Sequence, residues 1–373
     1  MWYYLVSFIL SLFGIYLANR CYRQKFLFCI FSILALFPTI FLAGFRDHTI
    51  GSDTDFYILP IFYHATKYFI HFGDFVEANP NTDYLYLLYT WIVTRVVKDS
   101  YWFLFINHVL ILVPMYIAAI KLRSYISPVT FFLIYYLVFY QDSLSIVRQS
   151  IAISFSMLAF VYFLSRKYKL YFILMLIAFG FHSTVIVTLI YPLLLRYLKK
   201  NPLDKNMKRY CFFVVLGIMV IVNLNFLLLF FINSGLLASK YLIYTGESDT
   251  FKGGLGLTNF LIKICIIYFI YSFRKKHKGF IFVDFGYVVS ILDLMFCLFA
   301  LLMEPLDRFS LYPRVMSCVT LPYIFAFSKT GGMSKFDCFK LFLICAIFAY
   351  WVYVYMLGDY GSTSNYKMIT NII

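Results

Sequence analysis

From Phe26 to Gly44 the chain reads FLFCIFSILALFPTIFLAG without one charged residue. Wound as a helix at about 1.5 Å per residue, that run is long enough to cross the roughly 30 Å hydrocarbon core of a bilayer. Windows of similar character recur at 1–18, 101–120, 127–140, 146–164, 169–181, 183–198, 210–233, 257–273, 280–302, 311–328 and 337–357. With 63% apolar and only 13% charged residues, one water-facing globule has too little core to hide that surface, so lipid must be the main solvent. The expectation is an all-α polytopic integral membrane protein with about 12 transmembrane helices, or up to roughly 14 if two further segments cross. The first window lacks a basic n-region and an A-x-A-like site and runs into Arg20 and Arg23, so it reads as a helix rather than a cleavable signal.

The net charge of +15 invites a nucleic-acid reading, but the cations fall in short clusters between apolar windows. Arg20/Arg23/Lys25, Lys121/Arg123, Arg166/Lys167/Lys169, Arg196 through Arg209, Arg274/Lys275/Lys276/Lys278 and Lys329/Lys335/Lys340 hold 21 of the 32 Lys and Arg residues. They occupy alternate loops, which the positive-inside rule makes cytoplasmic. Both termini and the stretch after Gly44 then lie outside. Residues 57–72 and 82–97 are apolar enough to touch the membrane, but if only one crossed, every later loop would reverse. Lys67 and His71 interrupt the first, while Asp83 and Arg95 bracket the second. Neither is expected to cross, and both are expected to skim the surface within an outer loop 45–100. A second outer loop is expected at 234–256, within a single transmembrane domain over 1–373 that shows no repeat or low-complexity linker.

Cysteine placement fits this map. Cys29, Cys265, Cys297, Cys318 and Cys345 fall in spans and Cys21, Cys211 and Cys338 at cytoplasmic ends, so no disulfides are expected. No spacing suggests zinc. Inside the membrane, Asp293 and Lys263 fall at similar depth on neighbouring antiparallel windows. They read either as a buried pair or as a snorkelling Lys263 beside a protonated Asp293.

The outer side gathers the remaining polar groups: Arg46, Asp47, His48, Asp53, Asp55 and Tyr57; Gln141, Asp142, Arg148 and Gln149; His182; Tyr241, Tyr244, Glu247, Asp249 and Lys252; and Glu304, Asp307, Arg308, Tyr312 and Arg314. Arginines where the positive-inside rule disfavours them suggest an anionic ligand, although Arg148 near a helix start also reads as snorkelling to head groups. Arg308 and Tyr312 share a face at i and i+4 if helical, whereas Arg314 need not join them. His182 also reads as a helix-end histidine bonded to backbone. The D-T-D at 53–55 resembles a D-x-D metal site but supplies too few ligands alone, and no metal or other cofactor is expected.

The runs AGFRDHTIGSDTDFY, SIVRQSIAISFSMLAFVYFLSRKYK, AFGFHST and DRFSLYPR, in that order and placement, resemble the EpsG family of bacterial polysaccharide polymerases, related to the O-antigen polymerases of the Wzy type. The likeness covers roughly residues 1–330. It rests on Arg46, Gly51, Asp53 and Tyr57, on Arg148 and Gln149, on His182, and on Arg308 with Tyr312. The resemblance implies a GT-C-like, inverting, metal-independent glycosyltransferase of the bacterial inner membrane, with membrane-skimming helices in the first outer loop and its active site on the periplasmic side. Donor and acceptor would be oligosaccharides on undecaprenyl diphosphate, with a chain-length regulator protein as a further candidate partner.

On that resemblance Arg46, Arg148 and Arg308 are the candidate diphosphate ligands, because positioned guanidinium groups stabilise charge that grows on a leaving diphosphate. His182, Asp53 and Asp55 are the candidate catalytic bases, with His182 first because histidine ordinarily titrates near neutral pH. Tyr57, Gln149, Tyr312 and Arg314 are the candidate sugar contacts. A lipid-linked oligosaccharide flippase and an O-antigen ligase remain as alternatives; the flippase would line a cavity through the membrane and show a two-fold repeat.

Overall fold

The computed structural model describes residues 1–68, 71–203, 253–300, 307–327 and 335–368. They form two compact units, Met1–Pro192 with Val315–Ile373, and Leu193–Arg314. The expected span 210–233 and most of the expected loop 234–256, including Tyr241, Tyr244, Glu247, Asp249 and Lys252, lie outside the described residues, as does Glu304. The protein is all-α and polytopic. Among the described residues the one β contact is an isolated bridge between Arg46 and Met368.

The first unit contains α1 (Trp2–Arg20), α2 (Lys25–Gly44), the short α3 (Leu59–Tyr63) and α4 (Phe72–Glu77), α5 (Tyr84–Val96), α6 (Ser100–Lys121), α7 (Pro128–Val138), α8 (Tyr140–Ser145), α9 (Val147–Leu164) and α10 (Tyr168–Phe181). After α10 the chain runs through a 3-10 turn (Ser183–Leu189) into α11 (Ile190–Lys200). The second unit holds α12 (Gly253–Lys276) and α13 (Ile281–Ala300); α14 (Asp307–Val315) leads back to α15 (Ser317–Ala326) and α16 (Lys335–Trp351) of the first.

Helix α1 shows why lipid is needed. Tyr4, Phe8, Ser11, Ile15 and Ala18 are buried at seam spacing, while Trp2, Val6, Ile9 and Phe13 on other faces are large, apolar and exposed. Such a helix is stable only if one face packs on protein and the other meets hydrocarbon. The packed face carries a small polar residue: Ser11 Oγ donates to the carbonyl of Ala35 in α2 and accepts from the Tyr136 hydroxyl of α7. Phe8 stacks on Tyr136 with ring centroids 4.6 Å apart. Interhelical hydrogen bonds of this kind act as glue where no hydrophobic force separates helix from lipid.

Seven described helices are long and apolar enough to cross a bilayer: Trp2–Arg20, Lys25–Gly44, Ser100–Lys121, Val147–Leu164, Leu257–Lys276, Ile281–Leu298 and Phe336–Leu357. The windows 127–140, 169–181, 183–198 and 311–328 form shorter or broken helices instead. Helix α7 starts where Ser127 accepts from Thr130 N beside Pro128, and it breaks at Phe139 before α8 resumes. His182 is extended and separates α10 from the 3-10 turn.

Contacts at the two ends of the first unit bear on where the segments 57–72 and 82–97 run. At one end the Arg123 guanidinium lies over the Tyr22 ring and Lys121 over Tyr162, which brings three basic loops together. At the other, Tyr3 and Tyr4 pack against Tyr366 with centroids 5.3 and 5.5 Å apart, and Asp47 N donates to Lys367 O. Phe45, just after α2, packs on Trp102 at the start of α6. Midway between them, Asp83 bonds to residues 182 and 183, again at this loop end. The described residues at the start, middle and end of the stretch from 54 to 97 therefore lie at one end of the first unit, as expected if neither segment crosses. Its first part is a π-α-π run, Thr54–Ile58, Leu59–Tyr63 and His64–Tyr68, in which Pro60 removes a backbone donor. Helix α5, at about 1.5 Å per residue, is too short to span. Single cysteines at His48, Asn81 and Asp99, in a background without native cysteines, should be labelled by an impermeant maleimide from one side, and Ser124→Cys only after permeabilisation. Labelling of Asn81→Cys from the side opposite His48→Cys would show that a segment crosses.

In the second unit, α12 and α13 form an antiparallel hairpin in which Lys263 Nζ donates to Asp293 Oδ1. Of the two readings that depth leaves open, the pair is the one formed. A second pair, Arg274 Nε to Asp284 Oδ1 at 2.6 Å, closes the hairpin near its turn, and was not read from the sequence because Arg274 sits in a basic cluster. Removing one partner of a buried pair leaves an uncompensated charge, which costs more than losing the pair. Lys263→Gln and Asp293→Asn should therefore each lower folded yield several-fold, and the double variant should recover much of it. Yields of the double no better than the singles, read by size-exclusion chromatography, would count against the pair.

Candidate active site at the loop end

The polar groups of the loop end are placed by helix ends. Helix α10 stops at Phe181, and His182 takes φ −160° and ψ 114° while its N–H still bonds Ala178 O. Its side chain is thereby freed from the helix. Across from it, Asp83 stands at the N-cap of α5 but makes no side-chain cap, so its carboxylate is available to other elements. Gly180 permits the approach: a Cβ there would lie 2.8 Å from Leu85, hence only glycine lets α10 sit this close to α5.

Asp83 Oδ2 accepts from His182 Nδ1 at 3.2 Å, and Oδ1 accepts from Ser183 N at 3.1 Å. Arg148 Nη1, from the first turn of α9, lies 3.8 Å from Oδ2. Burial pushes the Asp83 carboxyl up, but the His182 hydrogen bond and charge, the Ser183 N–H and Arg148 outweigh it and hold it below the ordinary carboxylate range. A depressed value means that the carboxylate is ionised at neutral pH and that its ties are lost only in stronger acid. The three side chains are about one-fifth exposed, sheltered but open to a ligand. The Arg148 guanidinium also lies 5.8 Å from the Tyr86 ring and 5.9 Å from the Tyr57 ring, within cation-π range. Tyr57 is half exposed.

Two expected site residues, Arg148 and His182, thus converge on a third that sequence reasoning left out of the site. In the sequence Asp83 reads only as a charge bracketing an apolar segment. Its position before a helix resembles an ordinary N-cap, and its partners lie far along the chain. The one available signal was an acidic residue in the outer loop facing an excess of outer arginines.

Arg46 has a different task from the diphosphate ligand expected of it. It is fully buried. Nε donates to Ile50 O at 3.0 Å, Nη1 to Ala43 O, and Nη2 to Leu144 O at 2.8 Å and Thr54 Oγ1 at 3.2 Å. Burial draws its pKa down to about 10, opposed by nearby Tyr140, Tyr4 and Tyr366, so it stays protonated at neutral pH. The guanidinium fork is spent on the protein's own backbone and has no face toward a ligand. Gly51 belongs to the same clasp: it has φ +91°, and a Cβ would lie 2.3 Å from Leu144 O.

Other expected site residues separate by burial. Gln149 and Tyr312 are buried at 1% and 0% exposure, and Arg314, also buried, donates to Ser310 Oγ at 2.7 Å. None of the three presents a polar edge to a sugar; their helices turn these positions inward. Arg308 is exposed on α14 in the second unit. Asp53 is half-buried at the start of the π-helical turn and Asp55 exposed within it. Two residues apart on a helical turn they point to nearly opposite sides, unlike a D-x-D pair on a strand. No group of three or more His, Cys, Asp or Glu side chains that could hold a metal ion occurs among the described residues.

The order of motifs and the all-α membrane fold agree with a match to the family model described as EpsG family, over residues 29–368. The chain belongs to the EpsG family. This is a Wzy-type polymerase-like family, and membership points to a polysaccharide polymerase with glycosyltransferase-like activity in general. No curated protein and no solved structure matches the chain.

In this EpsG-family protein, Arg46→Lys and Gly51→Ala should act on stability. Each breaks the clasp, leaving buried carbonyls unanswered or forcing strain at positive φ, at a cost on the order of 1–3 kcal/mol. Both should lose the monodisperse size-exclusion peak at lower temperature than wild type, while Arg148→Lys should not. Unchanged heat profiles for Arg46→Lys and Gly51→Ala would remove the clasp from the stability of the fold.

Proposed function

We propose that the protein polymerises oligosaccharide repeat units carried on undecaprenyl diphosphate, moving the growing glycan onto a new lipid-linked unit at the periplasmic face of the inner membrane. The observation that carries this reading is the meeting of Arg148, Asp83 and His182 at one end of the bundle, in a family of Wzy-like polymerases.

In the reaction, a hydroxyl oxygen of the acceptor sugar forms a bond to the anomeric carbon of the donor. The bond from that carbon to the diphosphate breaks, and undecaprenyl diphosphate leaves with the electron pair. Attack from the face opposite the leaving group inverts the anomeric centre. Negative charge that grows on the diphosphate is met by Arg148, whose planar fork suits phosphate oxygens. The hydroxyl proton passes to His182. Tyr57, exposed beside Arg148, offers a ring face to a sugar. Arg308 remains a further diphosphate candidate from the family motif, while Asp53 and Asp55 are secondary as bases. The reading needs no metal, because guanidinium supplies the positive charge.

Purified protein in nanodiscs should convert lipid-linked repeat units into a ladder of longer glycans, with and without chelator. Arg148→Lys and His182→Asn should cut ladder formation on the order of 100-fold or more, with normal size-exclusion behaviour. Arg308→Lys tests the family motif in the same assay, and Arg123→Lys serves as a control at the basic end. Cells lacking the protein should hold single repeat units on lipid while flipping and ligation persist. A wild-type protein that makes no ladder, or near-normal ladders from both Arg148→Lys and His182→Asn, would overturn the assignment.

A further inference from the structure

We propose that Asp83 is a positioning residue that fixes which nitrogen of His182 is the base. The inference rests on the polymerase reading of this site and adds to it a residue that neither the motifs nor the family match singles out.

The argument is one of donors and acceptors. An ionised carboxylate only accepts hydrogen bonds. Oδ2 of Asp83 faces His182 Nδ1 at 3.2 Å, so Nδ1 must carry the hydrogen, and the neutral ring then keeps its lone pair on Nε2. The ring is further fixed because Oδ1 of the same carboxylate holds the adjacent backbone N–H, Ser183 at 3.1 Å. Main chain and side chain of the 182–183 corner are thus both tied to one carboxylate at the start of α5. When Nε2 takes the acceptor's proton, the resulting imidazolium stands against a carboxylate already in contact with it. The same carboxylate lies 3.8 Å from Arg148, a distance that attracts without a hydrogen bond and leaves the guanidinium donors to a ligand.

Around His182 and Asp83 the charged groups given by the structure are Arg148 from α9 and these two residues themselves. A purely mechanical role for Asp83, tying α5 to α10, would be served equally by asparagine. The positioning role would not. In Asp83→Asn the amide oxygen still accepts from Ser183 N, but its NH₂ group now donates to Nδ1 and drives the hydrogen to Nε2, the wrong tautomer for a base. The same logic is known from the serine protease triad, where such a change leaves geometry intact and lowers turnover by orders of magnitude.

The test uses full-length protein in nanodiscs, labelled with ¹⁵N-histidine, with the His182 signals assigned by their loss in His182→Asn. Wild type at neutral pH should show the Nδ1–H tautomer and Asp83→Asn the Nε2–H tautomer. Asp83→Asn should lower kcat for ladder formation by at least about 100-fold with little change in KM. Asp83→Glu should recover part of kcat. An Nε2–H tautomer in wild type overturns the proposal, even if the variant fails to fold. Wild-type turnover from Asp83→Asn, with His182→Asn inactive, overturns the positioning role alone. Wild-type turnover from His182→Asn instead overturns the base assignment on which the proposal stands.

Discussion

A buried guanidinium organises the loop end of this protein. Where α2 stops, its last carbonyls lose their helical partners, and in an apolar setting each must find another. Phe41 O is met by Phe45 N, Leu42 O by the Tyr366 hydroxyl, and Ala43 O by Arg46. Arg46 then reaches on to Ile50, Thr54 and Leu144. One side chain thus closes a helix, folds the loop after it and joins that loop to the corner before α9. The C-terminal residues complete the clasp: Gly361 O accepts from Gly51 N at 3.1 Å and Asp47 N bonds Lys367 O at 2.9 Å. Four bonds to one charged group are more than a single ligand contact would provide, and they explain why a cation is tolerated at zero exposure.

The candidate site stands on that frame. Leu144, held by Arg46, precedes Arg148 by four residues across the break at Ile146, and the loop that Arg46 folds delivers Tyr57 to within 5.9 Å of the Arg148 guanidinium. The base side is built separately, from the end of α10 and the start of α5, with Gly180 allowing the two helices to touch. Asp83 links the halves. The result resembles many membrane enzymes in principle: rigid apolar helices supply no chemistry, while their ends, where backbone hydrogen bonding is incomplete, collect the polar groups.

The all-α, polytopic character was legible in the sequence because it depends on sums over long windows. Apolar length is insensitive to any one contact, whereas the breaks that leave windows such as 127–140 and 169–181 as shorter helices depend on local turns. The similar depth of Lys263 and Asp293 was legible by residue counting along a hairpin, but counting leaves open whether they pair, which the contact decides. Arginine roles were not legible. A lone arginine outside a membrane helix looks the same whether it will grip a ligand or three backbone carbonyls, and the difference lies in where the chain turns at Gly51 and Thr54. Burial of Gln149 and Tyr312 was hidden for a similar reason, because which face of a helix turns inward depends on neighbours distant in sequence. Asp83 was hidden twice, by its N-cap position and by the separation from its partners.

Sharing one carboxylate between Arg148 and His182 has an electrostatic consequence for the proposed reaction. With no substrate, Asp83 faces both neighbours, attracted by the Arg148 guanidinium and accepting a hydrogen bond from the neutral imidazole. When a diphosphate occupies the guanidinium donors of Arg148, much of that cation's field is taken up by the ligand, and Asp83 is left to the imidazole. The carboxylate then serves the imidazole alone, holding the hydrogen on Nδ1 and leaving Nε2 to the acceptor. At 3.8 Å the contact between Arg148 and Asp83 is close enough for this transfer of influence and loose enough to be shared. A direct bidentate pair would have locked the arginine to the protein, as Arg46 is locked. The difference between the two arginines is therefore less their charge than the number of donors each has left to give.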